Sequence, residues 1–235
     1  MLTVAEYAKH LDMALHLQRL PEADIRQAAR QARDAGVAAF YTNPFWTPAV
    51  AEELAGSDVR VGAGISFPYG CTTTAIKFAE IDDALANGAT AVDMVVNVGA
   101  LKDGNHALVD KEIAGLRDRC AGTALTKLIF EVGFLTDDEI VTLTRMCCDA
   151  GLDYVKTATG TEAFPTEHHV RLMRDSLTGD RTKLKVSGVP RQFTLAVTLW
   201  MLDMGVDLIG TRSAAALVEQ YATHLAQQPS SRKDM

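Results

Sequence analysis

DAGLDYVKTATG, residues 149–160, joins the end of a helical pattern to a short apolar run through a single glycine, and the run closes on a lysine and a small turn. The same phrase recurs as DAGVAAFYT (34–42), ANGATAVDMVVN (86–97) and DMGVDLIGTRS (203–213). Gly36, Gly88, Gly151 and Gly205 each fall just past a helix end, where a left-handed backbone is free only for glycine. Each phrase then launches a strand.

Further strands read in HLDMALH (10–16), VRVGAGISFP (59–68), LTKLIFEVGF (125–134) and TKLKVSG (182–188), all short, continuous and rich in Val, Ile, Leu and Phe. Runs of that kind suit a parallel sheet buried on both faces by helices. The helices between them carry start signals: Thr136 with Glu139 three positions on is a capping box, and Pro21 with Glu22 opens ADIRQAARQARDAG. About eight strand-helix units without a break in composition predict a single-domain α/β TIM barrel over residues 1–235, with a polar, frayed tail from about 225. An open doubly wound sheet would want a dinucleotide or phosphate fingerprint, and VGAGIS (61–66) lacks the third glycine.

The 235 residues are 48% hydrophobic and 23% charged, with a formal net charge of -7. That balance fits a globular enzyme and excludes the basic footprint of a nucleic-acid binder. No apolar stretch is long enough to span a bilayer, and MLTVAEYAKHLD has charges where a signal peptide needs its apolar centre, so a cytoplasmic protein with no membrane partner is expected. Cys71, Cys120, Cys147 and Cys148 have neither zinc-ligand spacing nor scaffold density and read as reduced thiols. His168 and His169, adjacent on a helix, point about a hundred degrees apart, so no metal site is expected.

In a barrel the active site is built at the carboxyl ends of the strands. That rule selects Asp12, Asn43, Asp93, Asn97, Glu131, Lys156 and Lys185, and sends the Arg, Lys and Glu of the helices to the solvated outside. Lys156 and Lys185 end consecutive strands. A lysine desolvated there beside a second cation loses its proton and can attack a carbonyl to form a Schiff base. Pairing with Asp93 or Glu131 for stability alone is the competing reading, and a buried triad kept for that purpose gains little over apolar packing. Asp93, set among valines and methionine, is placed to hold Lys185 protonated and to relay a proton through water. A structural strand-end cap is its competing reading.

TAVDMVVNVGALKDGNHALVDKEI (90–113) and DAGLDYVKTATG carry a resemblance to the 2-deoxyribose-5-phosphate aldolase family of class I Schiff-base aldolases, and the likeness runs from HLDMALH to GTRSAAAL (210–217). The resemblance implies Lys156 as nucleophile, Lys185 as the lysine that depresses its pKa, Asp93 as proton-relay partner and Asp12 as support. It implies reversible cleavage of 2-deoxyribose 5-phosphate into acetaldehyde and glyceraldehyde 3-phosphate with no metal or organic cofactor. It also implies small-molecule aldehyde and sugar-phosphate partners, with substrate contacts at Thr157, Gly160, Ser187, Gly188, Gly210, Thr211, Ser213 and Asn43; Arg212, in the last turn, is a further candidate for gripping phosphate or carboxylate.

The chain departs from the family at the phosphate end. KVSGVPR (185–191) has Val189 where a second glycine is expected, and Pro190 brings no N–H; Arg212 stands where the family has a small hydroxyl residue. The opening segment LDMALHLQRLPEA (11–23) offers His16 and Arg19 in place of the family's threonine and lysine or asparagine. These changes predict either the family reaction or related chemistry on a different or unphosphorylated acceptor. A non-catalytic barrel that binds a sugar phosphate or a partner protein is the reading from another class. Trp46 reads as rim packing, and a homodimer is the default assembly.

Overall fold

In the computed structural model, which describes residues 1–189 and 193–227, the strands pair in parallel and in sequence order until β8 closes on β1. The strands are β1 (Leu11–Leu15), β2 (Ala39–Thr42), β3 (Arg60–Ile65), β4 (Ala91–Val95), β5 (Leu125–Ile129), β6 (Tyr154–Lys156), β7 (Lys183–Val186) and β8 (Leu208–Thr211). A short α1 (Val4–Ala8) precedes them. Around the barrel run α2 (Glu22–Asp34), α3 (Thr47–Leu54), α4 (Thr74–Ala86), α5 (Val98–Lys102), α6 (His106–Cys120), α7 (Asp137–Ala150), α8 (Glu167–Ser176), α9 (Leu195–Asp203) and α10 (Ala214–Gln227). This is the single TIM barrel that the recurring phrase predicts. Pro190 and the tail from residue 228 lie outside the described residues.

The recurring glycine does what its position requires: Gly36, Gly88, Gly151 and Gly205 have φ of 67°, 94°, 75° and 88°. At Thr136 the predicted capping box forms with Glu139. Pro21 is the N-cap of α2 rather than its first helical residue.

Strand alternation divides the barrel chemically. One set of side chains, including Phe40, Val92, Met94, Leu128, Val155, Leu184 and Ile209, belongs to the continuous apolar core shared with the helices. The opposite faces hold Ala39, Tyr41 and Ala91 with Ala14 and Leu125. Small residues inside admit large polar ones. A Cβ on Gly62 would lie 2.5 Å from the Tyr41 ring, and one on Gly210 would lie 3.1 Å from Lys185 Cε.

One expectation about charge fails. Lys77 of α4 and Glu112 of α6 are buried rather than solvated. They pair at 2.7 Å, and Lys77 Nζ also donates to the Val95 carbonyl at 3.0 Å. The carbonyl at the end of β4 and a carboxylate two helices away share one cation, and that position on a helix carries no mark of burial in the sequence. Among the described residues no helix is long and apolar enough to cross a membrane.

Candidate active site

Strand register brings the charged residues together. Lys156 pairs with Lys185 across β6 and β7, Asp93 with Lys127 across β4 and β5, and Asp12 with Gly210 across β1 and β8. Asp12 and Asp93 stand inside their strands, the second of β1 and the third of β4, and not at the strand ends. They form the floor beneath the mouth.

Asp93 Oδ2 accepts from Lys156 Nζ at 2.8 Å and from Lys185 Nζ at 2.9 Å. Lys185 Nζ also lies 2.7 Å from Asp12 Oδ2. A further lysine, Lys127, donates to Asp12 Oδ2 at 3.3 Å and to the Tyr41 hydroxyl, and sits 3.6 Å from Asp93 Oδ1. The Tyr41 ring faces Lys185 at 4.2 Å and Lys127 at 4.7 Å from its centroid. The three lysines, the two aspartates and Tyr41 are all buried.

Three potential ammoniums face two carboxylates, so a balanced charge requires one lysine to be neutral. Burial drives Lys156 down, the nearby Lys185 adds to this against the pull of Asp93, and its pKa falls to about 8. Lys185 goes the other way: burial disfavours its charge, but Asp12 and Asp93 outweigh burial and hold it above the ordinary lysine range. Burial would raise Asp93, yet Lys156, Lys185 and Lys127 keep it well below the usual carboxylate range. Burial also lowers Lys127. Lys156 differs from Lys127 in access, because it borders a cavity of about 620 Å³ at the mouth.

The turns after β6 and β7 form one wall of that cavity. Gly160 and Gly188 have φ of 87° and 78°, and their backbones touch: a Cβ on Gly188 would lie 2.7 Å from Gly160 N. Side chains at both positions are therefore excluded by conformation and by space. Ser187, Gly188 and Val189 line the cavity with Gly210, Thr211 and Arg212. The Ser187 hydroxyl is already given to the Ala158 carbonyl at 2.8 Å. Arg212 is exposed on the ridge between this cavity and a wider outer groove along α1, α2 and α10.

Other predicted contacts lie elsewhere. Thr157 is fully buried; its hydroxyl donates to the Ser187 carbonyl at 2.7 Å and accepts from Ser187 N–H at 3.0 Å, fastening β6 to β7 behind the cavity. Ser213 bonds Thr211, at 3.1 Å between hydroxyls, and neither Ser213 nor Asn43 borders the cavity. Asn97 caps α5 through the Ala100 N–H. Glu131 takes a left-handed backbone, φ 57°, and accepts from Thr159 N–H at 3.1 Å, tying the end of β5 to the turn after Lys156. His168 pairs with Asp137 at 2.9 Å on the surface, and His169 accepts from Thr166 N–H.

Sequence reasoning missed Lys127 and Tyr41. Both lie one layer below the strand ends, and a rule that sorts by strand end passes over that layer. The signal was available in period two: Lys127 alternates with Leu125 and Ile129, an ionisable residue on an otherwise apolar face of its strand.

Fold and site together define an aldolase-type (β/α)8 barrel, a carbon-carbon lyase. The chain belongs to the DeoC/LacD family aldolases, whose sequence profile matches residues 6–209. A deoxyribose-phosphate aldolase of Geobacillus sp. (strain WCH70) is 40% identical over 213 residues, covering 90% of this chain and 94% of that protein. One from Brevibacillus brevis is 40% identical over 89% of this chain and 94% of its own length. Among solved structures, the aldolase QR15 superposes with a TM-score of 0.87 at 30% identity, covering 97% of this chain and all, 100%, of that one. The tetrameric deoxyribose phosphate aldolase from Aeropyrum pernix gives 0.84 at 25% identity, over 94% and 93%.

Proposed function

We infer that this chain cleaves 2-deoxyribose 5-phosphate reversibly to acetaldehyde and glyceraldehyde 3-phosphate through a Schiff base on Lys156. The observation that carries the reading is the depressed pKa of Lys156 at the only lysine of the cluster, besides Lys185, that borders the cavity. Lys185 is held as an ammonium by two carboxylates and is no nucleophile.

The free Lys156 amine adds to the C1 carbonyl, and loss of water gives the iminium. The C3 hydroxyl then loses its proton, the C2–C3 bond breaks, and its electron pair moves to the iminium, leaving an enamine while glyceraldehyde 3-phosphate departs. Protonation of the enamine carbon and addition of water release acetaldehyde and restore the amine. The Lys185–Asp93 pair supports this cycle as a proton donor and acceptor at the reacting carbons, with Asp12 and Lys127 fixing the charge of Lys185. Arg212, Gly188 and Gly210 take the anionic end.

Val189 and Arg212 on the cavity wall favour a second reading, the same chemistry with a different or unphosphorylated acceptor. Borohydride reduction followed by mass spectrometry separates the readings. Acetaldehyde, 2-deoxyribose 5-phosphate and 2-deoxyribose are run in parallel, with Lys156→Leu as control. An adduct on Lys156 with all but a preference for the phosphate ester supports the first; equal or better trapping of 2-deoxyribose supports the second. No adduct on Lys156 with any of them leaves a binding barrel.

A further inference from the structure

His16 follows the last residue of β1 and borders the same cavity as Lys156, yet it takes no part in the lysine-aspartate network. Its ring stacks on Phe67 with centroids 4.4 Å apart and planes 26° apart. Gly64 of β3 makes room for the pair, since a Cβ there would lie 3.2 Å from Phe67 Cβ and 3.5 Å from His16 Cε1. The loop carrying Phe67 is pinned in turn. Ser66 has a left-handed backbone, φ 52°, with its N–H on the Glu80 carboxylate at 2.5 Å and its hydroxyl 2.7 Å from that of Thr72. The imidazole plane is therefore fixed beside the reacting lysine.

Nδ1 of His16 is buried without a hydrogen-bond partner, and Nε2 bonds none of the described residues. Burial, reinforced by Lys156, lowers its pKa to about 3, so the ring is neutral and carries one N–H and one lone pair. Orphaned N–H groups are rarer in protein interiors than orphaned acceptors, which places the proton on Nε2, at the cavity surface. That donor has no acceptor among the described residues. Once acetaldehyde is an enamine on Lys156 it holds no oxygen, and the acceptor's carbonyl oxygen falls to the Lys185 ammonium. What remains for His16 is an oxygen further along the acceptor.

We propose that His16 is a specificity-determining residue whose Nε2–H donates to a hydroxyl on the carbon next to the acceptor's carbonyl, so that the site selects α-hydroxyaldehydes over their deoxy analogues. This rests on the Schiff-base reading above. The test is kcat/KM for addition of acetaldehyde to two acceptor pairs: D-glyceraldehyde 3-phosphate against 3-oxopropyl phosphate, and D-glyceraldehyde against 3-hydroxypropanal. His16→Leu should lower the hydroxylated members roughly tenfold or more and the deoxy members far less. His16→Gln, whose amide N–H falls near Nε2, should keep most of the preference, and His16→Asn, whose amide falls near Nδ1, should lose it. Equal losses within each pair, or the same preference in the Gln and Asn variants, overturn the assignment. If the wild type neither forms a Lys156 adduct nor adds to any of the four acceptors, the Schiff-base reading itself fails and this inference fails with it.

Discussion

Lys156 Nζ and Lys185 Nζ reach one and the same oxygen, Asp93 Oδ2, at 2.8 and 2.9 Å, from adjacent strands on which the two lysines stand in register. Two cations on one carboxylate cannot be equally stable, and only Lys185 has Asp12 as a second anion. The proton is therefore held less tightly on Lys156 than on Lys185. With its pKa at about 8, about a tenth of molecules carry the free amine at pH 7, against a few in ten thousand for an ordinary lysine. In the proposed reaction the free amine is the nucleophile, so the rate of acetaldehyde trapping should rise with pH and level off above a midpoint of about 8. A midpoint in the ordinary lysine range removes the electrostatic account.

Lys185→Leu deletes the cation that presses on Lys156 and leaves Asp93 to it. The Lys156 pKa should rise, and each unit of rise lowers trapping at neutral pH about tenfold. Lys127→Met should move the midpoint the same way by less, because Lys127 is the weakest of the stated influences on Lys156. Trapping rates across pH for wild type and both variants give the order directly. A Lys185→Leu midpoint equal to that of the wild type takes Lys185 out of the mechanism.

Val189 stands on the cavity wall beside Gly188. Val189→Gly removes a side chain from the path of an anion toward the backbone. Cleavage of 2-deoxyribose 5-phosphate relative to 2-deoxyribose should increase, on the order of severalfold for one relieved contact. An unchanged ratio means that Val189 does not limit access to the anion site.

The barrel was legible because its signal repeats: four glycine-launched strands fix the period, and continuous apolar runs supply the rest. The meeting of Lys156, Lys185 and Asp93 was legible because strand order sets their neighbours, and Lys156 and Asp93 also sit in long motifs. Lys127 and Tyr41 were not, since depth inside a barrel depends on stagger between strands, which the sequence of one strand does not contain. Thr157 illustrates the converse. Its place beside Lys156 suggests a substrate contact, but the peptide after Lys156 turns its hydroxyl toward Ser187, where the strand ends needed fastening. His16 stood out by residue type, while its stacking on Phe67 depends on the distant Gly64.

Lys77 and Glu112 should show what burial of a charge pair costs this fold. Lys77 Nζ bridges Glu112 at 2.7 Å and the Val95 carbonyl at 3.0 Å, and Thr74 donates to the other Glu112 oxygen at 3.0 Å. Lys77→Met leaves Glu112 ionised and buried with a single hydroxyl donor, and the loss of stability should be about 3–5 kcal/mol. Adding Glu112→Leu removes the uncompensated charge and should recover most of that loss, because apolar residues of similar volume replace buried pairs at little cost. Urea unfolding of the wild type, Lys77→Met and the double variant measures both steps. A double variant no more stable than Lys77→Met would mean that the Val95 carbonyl, not the carboxylate, is the group that needs Lys77. The fastening of β4 two residues beyond Asp93 would then be its main contribution.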